Sequence, residues 1–365
     1  MWRSVFFVTA ILFLSKAQAT TIHVPTERPT IQAGIDAAFY GDTILVAAGT
    51  YYENVVCNKS LSIIGESSHN TIIDAGGIKK CIFVNSFGAI SGIISGFTLT
   101  NAGIDGSDNV TNFAVVILTN GRGHWTISEN LFKDNPEGGL IVFGPVSISR
   151  NVFVDNRTAL MVSSDANAVV HNNSLLRSEG IAILVHLDAI NMVAHNNIVV
   201  DNGYGMYNMG IPAYQIYNNL VWGNMRDYYD FPVGTDDIST DPLFCDANNG
   251  DYRLWAVSPC SPHNSPNGEL IGALDAGCYN CGDTDASGGE LTIEDVQLLY
   301  EFYFWHSSIQ PYPSGAGDLD CDGFITIADV VLLAGYVGGF GPAPCCALSP
   351  KLRSSEHDFN SGPDY

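Results

Sequence analysis

The fold is decided by the segment ISRNVFVDN at residues 148–156, which recurs along the chain. Related copies begin at Ile127, Val170, Ala194 and Ile216, and their central asparagine returns every 21 to 24 residues. A repeat of this length is typical of solenoids, in which each unit buries its apolar side only against its neighbours. The copies contain short β-branched runs separated by Asn and Gly, which excludes helical repeats. The sequence therefore predicts an all-β chain of parallel strands stacked coil on coil.

We interpret the central asparagine of each copy as structural. In a stack, an Asn side chain can hydrogen-bond to turn backbone groups and to its copy in the next coil, and it tolerates left-handed backbone angles. A ladder along the solenoid axis is therefore expected rather than a catalytic row. Its members are Asn130, Asn151, Asn173, Asn197 and Asn219.

Residues 20–280 are predicted to hold the whole solenoid, with about seven coils between Asp42 and Val221. A short helix that begins after the N-cap residue Thr30 precedes the first coil. Because the first coil of a stack has an open apolar end, this helix is expected to cover it. Residues 222–280 lose the period and carry Pro, Gly, Asp and Cys, so we expect an irregular C-terminal cap there.

The start of this region resembles that of right-handed parallel β-helix proteins of the pectin-lyase-like superfamily. Four segments carry the resemblance: Thr30-Ile31-Gln32-Ala33, Gly41-Asp42-Thr43-Ile44, Gly49-Thr50-Tyr51 and Ile63-Ile64-Gly65-Glu66. The resemblance implies the fold of residues 20–280. It says little about activity, because the superfamily includes lyases, hydrolases, epimerases and non-catalytic binders.

The first 19 residues have the pattern of a secretory signal peptide, with Arg3, an apolar stretch from Val5 to Leu14 and small residues up to Ala19. This predicts a secreted, extracellular protein. The apolar stretch is too short to span a membrane, and no other segment is long enough. The chain has 38 acidic and 15 basic residues, for a formal charge of −23. Such a charge argues against nucleic acid or anionic lipid as a partner and favours the binding of cations.

Nine cysteines in an exported chain predict disulfides. Cys245 and Cys260 flank a hairpin-like segment and are the pair that we expect to be bonded. Cys278-x-x-Cys281 has the spacing of half a zinc site, but no second Cys/His pair at a suitable spacing follows it.

Residues 281–346 form a second predicted module, followed by a flexible tail at residues 347–365. The segment 282–346 holds ten acidic residues and no Lys or Arg. From Asp318 to Asp329 the acids occupy positions 1, 3, 5 and 12 of a twelve-residue loop, with Gly323 at position 6. This spacing is that of a calcium loop, in which hard oxygen ligands converge and a following helix supplies the last carboxylate. An earlier copy from Asp283 to Asp295 is one residue longer and should bind calcium more weakly.

Two such loops, each with one helix, resemble a type I dockerin. The resemblance implies two sets of calcium ligands: Asp318, Asp320, Asp322, the Thr326 carbonyl and Asp329, and then Asp283, Asp285, Ser287 and Asp295. Dockerins attach to cohesin partners through loop positions 10 and 11, which are often Ser-Thr. Here those positions are Ile293-Glu294 and Ile327-Ala328, so the partner is either cohesin-like or another surface-anchoring protein. An acidic helical hairpin without metal is the alternative interpretation.

Within the coils, His171, His195 and Tyr217 fall in one register, which indicates either ordinary surface packing or contact with a sugar. Four strands are predicted to form one sheet: 140–143, 160–163, 181–184 and 206–209. By period-two alternation their outward residues carry no charge. These residues are Ile141, Phe143, Met161, Ser163, Ala182, Leu184, Tyr207 and Met209.

Asp165, His186 and Asp188 follow these strands at nearly equivalent places in successive coils. Neighbouring parallel strands lie about 4.8 Å apart, so the three side chains could converge and perform acid–base chemistry or hold a metal. Asp-rich turns are also ordinary in a solenoid.

Three functions remain open at this point. The first is a secreted protein that binds or processes extracellular polysaccharide, with a calcium-ordered module for attachment. The second is an enzyme proper, either a polysaccharide lyase or a glycoside hydrolase. The third is a non-catalytic surface or adhesion protein. The absence of an Asp/Arg cluster on the predicted sheet favours binding over lyase chemistry.

Overall fold

The computed structural model describes residues 19–85, 88–103, 112–119, 122–187, 189, 191–210, 214–287, 290–305, 310–312, 314–320, 323–342 and 344. The predicted signal peptide therefore lies outside the described residues apart from Ala19, and so does the predicted tail. The chain winds as a right-handed parallel β-helix, which confirms the predicted architecture of the larger region.

Three long parallel sheets form the walls of the solenoid, and each coil contributes one strand to each sheet. Sheet 1 consists of β1 (Thr21–Val24), β2 (Thr43–Val46), β5 (Ser62–Gly65), β8 (Gly92–Ser95), β11 (Trp125–Ser128), β14 (Val146–Ser149), β17 (Asn167–His171), β20 (Asn191–His195) and β23 (Tyr214–Tyr217). Sheet 2 consists of β3 (Gly49–Tyr51), β6 (Thr71–Asp74), β9 (Thr98–Thr100), β12 (Leu131–Lys133), β15 (Val152–Val154), β18 (Ser174–Leu176), β21 (Ile198–Val200) and β24 (Leu220–Trp222). Sheet 3 consists of β4 (Val55–Cys57), β7 (Ile82–Asn85), β10 (Phe113–Leu118), β13 (Gly138–Phe143), β16 (Thr158–Val162), β19 (Ile181–Val185), β22 (Tyr204–Asn208) and β25 (Arg226–Tyr229).

The solenoid has more coils than the sequence predicts. The strands from β2 to β25 make eight complete coils. β1 adds part of a turn at the N-terminal end, and bridges from Tyr217 to Thr235 and from Leu220 to Ile238 add part of another at the C-terminal end. The total is about ten turns, against the predicted seven or so. The predicted count covered only Asp42 to Val221, where the structure has nearly eight coils, and the partial turns at both ends lie outside that range.

Inward-facing side chains of the three sheets form one continuous core. Phe132 and Phe153 show the stacking of equivalent positions, because their rings lie parallel with centroids 4.5 Å apart on neighbouring strands. Full burial of such a side chain stabilises the fold by about 1.5–3 kcal/mol. Each coil therefore depends on its neighbours for its apolar contacts, as expected of a solenoid.

The N-terminal end is covered by α1 (Ile31–Ala37), which packs against β1, β2 and β4. The predicted N-cap is confirmed, since the Thr30 side chain accepts a hydrogen bond from the Ala33 backbone N–H. Glu53 accepts two more N–H groups of the first turn, and the Lys59 ammonium donates to carbonyls at the last turn. These charges match the helix dipole at both ends.

The segment after β25 closes the other end of the solenoid and then covers one side of it. Phe231 enters the core at the end of the stack. A small sheet of β26 (Phe244–Asp246), β27 (Asp251–Trp255) and β28 (Ala276–Cys278) follows, with a 3-10 helix at Ala247–Asn249. Residues from this region pack on the outer face of sheet 2, where they bury Val154, Leu176 and Val200. The outer face of sheet 2 is therefore covered along β15, β18, β21 and β24, whereas β3, β6 and β9 keep partly exposed residues.

The disulfide differs from the prediction. Cys245 is bonded to Cys278, with Cα atoms 5.8 Å apart, so the expected pairing of Cys245 with Cys260 is wrong. Cys260 is a buried free thiol, as are Cys57 and Cys81. The pairing follows from the small sheet, in which β27 pairs with both β26 and β28 and so brings Cys245 and Cys278 together. Spacing along the chain does not reveal such an arrangement.

The C-terminal module contains α2 (Ile293–Trp305) and α3 (Ile327–Val337), with a 3-10 helix at Ser314–Gly317 between them. The two helices pack around Leu299, Leu319, Val330 and Leu333. Both helices therefore lie where the loop pattern predicts them. In the part of the chain that the structure describes, none of the helices combines the length and apolar character that a membrane crossing requires.

Candidate functional site

The predicted asparagine ladder is present and structural. The Asn151 side-chain amide donates to the Asn173 side-chain oxygen at 3.0 Å and to two backbone carbonyls, and its backbone N–H donates to the same Asn173 oxygen at 3.0 Å. The same pattern repeats from Asn130 to Asn219, and the last acceptor is the Asp237 carboxylate. These side chains are buried and fully engaged, so they do not contact a substrate.

A second ladder, which sequence reasoning missed, runs parallel to the first. Its members are the last residue of each repeat: Asn135, Asn156, Asn202 and Asn224. The signal was present in the repeat, where DN or GN closes four of the five copies. In the remaining copy Ser178 occupies this position, and its buried hydroxyl has no hydrogen-bond partner. The second ladder is therefore interrupted at one rung.

The outer face of sheet 1 carries the predicted row of His171, His195 and Tyr217, which are paired in register. The two imidazoles stack with centroids 5.2 Å apart, and His195 stacks on Tyr217 at 4.9 Å. Burial lowers the pKa of His195, and the neighbouring His171 lowers it further. Because each ring covers the face of the next, the row presents mainly ring edges to solvent, whereas a sugar stacks on a free ring face.

The outer face of sheet 3 carries an apolar row along its whole length. Strand pairing places these residues side by side: Val56, Phe83, Val116, Ile141, Met161, Leu184, Tyr207 and Tyr229. The outward orientation predicted for Ile141, Met161, Leu184 and Tyr207 agrees with this register. Phe143 packs with Ile141 and Met161 on the same face, and Met209 is exposed beyond the end of β22.

Three of the predicted outward residues are buried. Ile141 is on the outer face by register but is 1% exposed, because it packs in a cluster with Phe113 and Val116. Ala182 is 0% exposed and Ser163 is 3% exposed. Ala182 and Ile183 are both buried because these strands place two consecutive residues inside, a pattern that β16 and β22 share. Strict period-two alternation therefore fails at this point. Ser163 lies just past β16, in the turn that leads to the next coil, rather than on the sheet.

Three tyrosines cluster at the C-terminal end of sheet 3. Tyr207 and Tyr229 stack with centroids 4.3 Å apart, and the Arg226 guanidinium lies 4.4 Å from the Tyr229 centroid. Tyr204 stands beside both rings, at 5.4 Å and 77° from Tyr207 and at 5.8 Å and 82° from Tyr229. Tyr204 therefore lies beside the stacked pair, nearly perpendicular to both rings, and stacks on neither of them.

The structure places Asp165 and His186 in turns on adjacent coils, directly after the paired strands β16 and β19. Asp165 adopts a left-handed backbone conformation, with φ of 58°, as is common for Asp in turns. Asp188 lies outside the described residues. The convergence of these three residues therefore stays a prediction.

Both acidic loops of the C-terminal module bring their carboxylates together. In the first loop, the oxygens of Asp283, Asp285 and Asp295 lie within 4.8 Å of one another. Hydrogen bonds organise this loop, since the Ser287 backbone N–H donates to Asp283 and to Asp285. Burial alone would raise the pKa of Asp285, but hydrogen bonds with Ser287, Asp283 and Asp295 together outweigh it and hold that pKa below its ordinary value.

The second loop repeats this arrangement with Asp318, Asp320 and Asp329, again within 4.8 Å. Asp329 is fully buried, and its carboxylate accepts the backbone N–H groups of Leu319 and Thr326, both at 2.7 Å. The predicted ligand Asp322 lies outside the described residues. Oxygen donors alone, converging from a loop and a helix start, are the donor set that Ca²⁺ prefers, so these residues fit that ion.

A comparison with protein families agrees with the β-helix fold. Residues 80–236 match the family described as "Right handed beta helix region". No curated protein sequence matches the chain significantly.

Three solved structures are similar to this chain at low identity. The deglycosylated pectin methylesterase of Aspergillus niger shares 15% identity over 62% of this chain and 84% of its own, with a TM-score of 0.44. The pectin methylesterase of Erwinia chrysanthemi shares 15% identity over 59% of this chain and 67% of its own, with a TM-score of 0.34. A pectin methylesterase mutant in complex with a hexasaccharide shares 13% identity over 65% of this chain and 96% of its own, with a TM-score of 0.31. Similarity this weak does not bear on activity.

Proposed function

We propose that the protein is a secreted polysaccharide-binding β-helix protein whose C-terminal module attaches it to another surface. The observation that carries this proposal is the cluster of Tyr204, Tyr207 and Tyr229 on sheet 3. A sugar ring packs its C–H face on an aromatic ring, and Tyr adds a hydroxyl that can hydrogen-bond to the sugar. Tyr204, which lies beside the stacked pair and stacks on neither ring, is the proposed platform.

The choice of sheet 3 rests on a contrast between the three walls. The outer face of sheet 2 is buried from β15 to β24 by the segment that follows β25, and the aromatic row of sheet 1 covers its own ring faces. Only sheet 3, among the described residues, combines an extended apolar row with an aromatic cluster at one end. Val116 and Ile141 are buried, so the open part of the row runs over the four strands from Met161 to Tyr229, about 14 Å at about 4.8 Å per strand, which is long enough for a short stretch of glycan.

The C-terminal module is proposed to be a dockerin-like unit that calcium holds together. Asp318, Asp320 and Asp329 would hold one ion and Asp283, Asp285 and Asp295 the other, with Asp322, Ser287 and the Thr326 carbonyl as further ligands. Bound calcium would neutralise the converging carboxylates and fix the start of each helix. Ile293 and Ile327 are 63% and 42% exposed at those helix starts, which supports a docking partner with an apolar surface, cohesin-like or otherwise.

A lyase or glycoside hydrolase is the alternative for the same face. The outward row of sheet 3 carries no acid or base in the part that the structure describes, and Asp165 and His186 follow the strands rather than lie on them. This arrangement favours binding over catalysis. A surface or adhesion protein is the remaining alternative, in which the coils would present a face to another protein.

The proposal is tested on the full secreted chain with a glycan array, followed by titration of each bound glycan by calorimetry. Tyr204→Ala and Tyr207→Ala should each weaken binding about 10-fold, because a lost aromatic contact costs about 0.5–1.5 kcal/mol. Tyr217→Ala is the matched control, since it removes an exposed tyrosine from sheet 1.

Three outcomes would contradict parts of the proposal. The absence of any bound glycan would favour the adhesion alternative. A stronger loss in Tyr217→Ala than in Tyr207→Ala would move the site to sheet 1. New reducing or unsaturated ends in a glycan incubated with the protein would show that the protein is an enzyme. If Asp165→Ala no longer produced them, the catalytic site would include the turn after β16.

A further inference from the structure

The chemistry of the outer face of sheet 3 also selects among polysaccharides. Resting on the function proposed above, we infer that this face takes an uncharged glycan and rejects polyuronates. The inference comes from the apolar row, from the way the nearby cations are used, and from the charge of the whole chain.

The row itself offers nothing that a carboxylate could bind. Val116 and Ile141 are only 1% exposed, so the part of the row open to a glycan begins at Met161 and Leu184, which present only thioether and aliphatic groups, and Tyr207 then begins the aromatic cluster. A polyuronate laid along this row would bring a carboxylate against apolar surface at almost every sugar. Removing an unpaired charge from water is strongly unfavourable, whereas a neutral sugar brings C–H faces that match the row.

Two arginines beside the open part of the row are already engaged. Arg226 packs on the Tyr229 ring, and its Nε donates to the Tyr228 carbonyl at 3.2 Å. Arg157, just before β16, forms an ion pair with Glu137 at 2.9 Å. A guanidinium that binds a carboxylate well does so with two parallel N–H groups, and the Nε–H of Arg226 is taken by the backbone.

The net charge of the chain also disfavours the binding of anionic glycans. A formal charge of −23 creates a field that repels polyanions over about one Debye length, or roughly 10 Å at 0.1 M salt. Asp230 is exposed directly after β25, at the aromatic end of the row. An anionic glycan would thus meet repulsion at the end where aromatic contacts should hold it.

The experiment compares two polymers that differ only in charge: highly methyl-esterified polygalacturonate and the same sample after saponification. Arabinoxylan, xyloglucan and β-1,3-glucan serve as further neutral probes, and alginate as a further polyanion. Binding of the full chain is measured at about 50 and 500 mM salt. We expect at least one neutral polymer to bind with an affinity that changes less than about 2-fold with salt, and each polyanion to bind at least about 10-fold more weakly at low salt.

A pair of charge-adding variants sharpens the test. Leu184→Lys places an ammonium group in the middle of the row and should raise the affinity for polygalacturonate several-fold at low salt. Gln215→Lys adds the same charge on exposed sheet 1 and should leave that affinity near the wild-type value. Equal gains in both variants would contradict the assignment to sheet 3.

Different results would contradict the preference for uncharged glycans and the proposed function. If the wild-type protein bound polygalacturonate or alginate as tightly as the neutral polymers, or more tightly, the preference for uncharged glycans would be wrong. The proposed binding of polysaccharide would still hold. No binding of any polymer, neutral or anionic, would remove both.

Discussion

The β-helix and the C-terminal module both bury a row of polar side chains, but one row is neutral and the other is charged. The ladder from Asn130 to Asn219 consists of amides, which donate and accept, so each rung satisfies the next. The loops around Asp295 and Asp329 consist of carboxylates, which only accept. Amides can therefore satisfy one another's hydrogen bonds, whereas clustered carboxylates need protons, backbone N–H groups or a cation. We therefore expect the stability of the module to depend on bound ions and that of the coils to depend on the geometry of the ladder side chains.

Calcium removal should produce the largest difference between the two regions. At a free calcium concentration 1,000 times the dissociation constant, a bound ion contributes about 4 kcal/mol to the free energy of unfolding. Chelation with EGTA, or Asp329→Ala, should therefore unfold the module and leave the β-helix folded. Differential scanning calorimetry together with helical circular dichroism at 222 nm would measure this.

Asp295→Ala is the matched variant in the longer first loop. It should lower the free energy of unfolding of the module less than Asp329→Ala does. Identical scans with and without calcium would contradict the ion dependence of the module and favour the metal-free hairpin.

Removing one rung of the amide ladder should have the next largest effect. Asn173→Ala deletes the acceptor of two N–H groups of Asn151 and the donor to Asn197, all in buried positions. Leaving several buried groups unsatisfied should cost about 3 kcal/mol or more. Urea unfolding followed by strand circular dichroism would measure the loss, which should not depend on calcium.

The exposed pair of Asn167 and Asn191 supplies the control for this variant. Asn167→Ala should change the free energy of unfolding by no more than about 0.5 kcal/mol. If both variants behaved alike, the ladder would not stabilise the coils.

Completing the second ladder should stabilise the protein modestly. Ser178→Asn would place an amide between Asn156 and Asn202, where the serine hydroxyl has no partner. New buried hydrogen bonds should add about 1 kcal/mol. Ser178→Ala, which removes only the unsatisfied hydroxyl, should be nearly neutral, and a destabilised Ser178→Asn would mean that the site cannot hold the larger side chain.

The smallest expected effect concerns the pH dependence of the β-helix. The pKa of His195 is lowered in the folded protein, so folding favours the neutral imidazole. The stability that His195 contributes is therefore fully present above the unfolded pKa of about 6.5 and is lost as pH falls below it. The melting temperature of the β-helix should drop slightly between pH 7 and pH 5, and less so in His195→Gln. An equal drop in both proteins would show that other groups are responsible.

The sequence predicted the repeated parts of the molecule well, because a repeat states the same physical requirement several times. The ladder, the register of His171 with His195, and the N-cap Thr30 all follow from local pattern. Features that occur once were not predictable in this way. The contact of the last segment with sheet 2 and the Cys245–Cys278 bond depend on how distant pieces meet.

The candidate site was predicted in part. Tyr207 was identified as outward by alternation, but Tyr204 and Tyr229 were missed, because the cluster joins two coils and two rows of the sheet. Ala182 was misplaced because each of these strands turns two consecutive residues inward. Strict alternation of inward and outward residues applies to a flat strand, whereas the wall of a solenoid must bend.

The last rung of the first ladder ends in a carboxylate. Asp237 accepts from the Asn219 side chain and backbone with one oxygen, and from the Tyr228 hydroxyl and the Gly234 N–H with the other. A carboxylate has no hydrogen to donate, so a second molecule stacked end to end would find no donor with which to continue the row. A single oxygen in place of an amide nitrogen thus ends the ladder and disfavours its extension from one molecule to the next, which would build a filament.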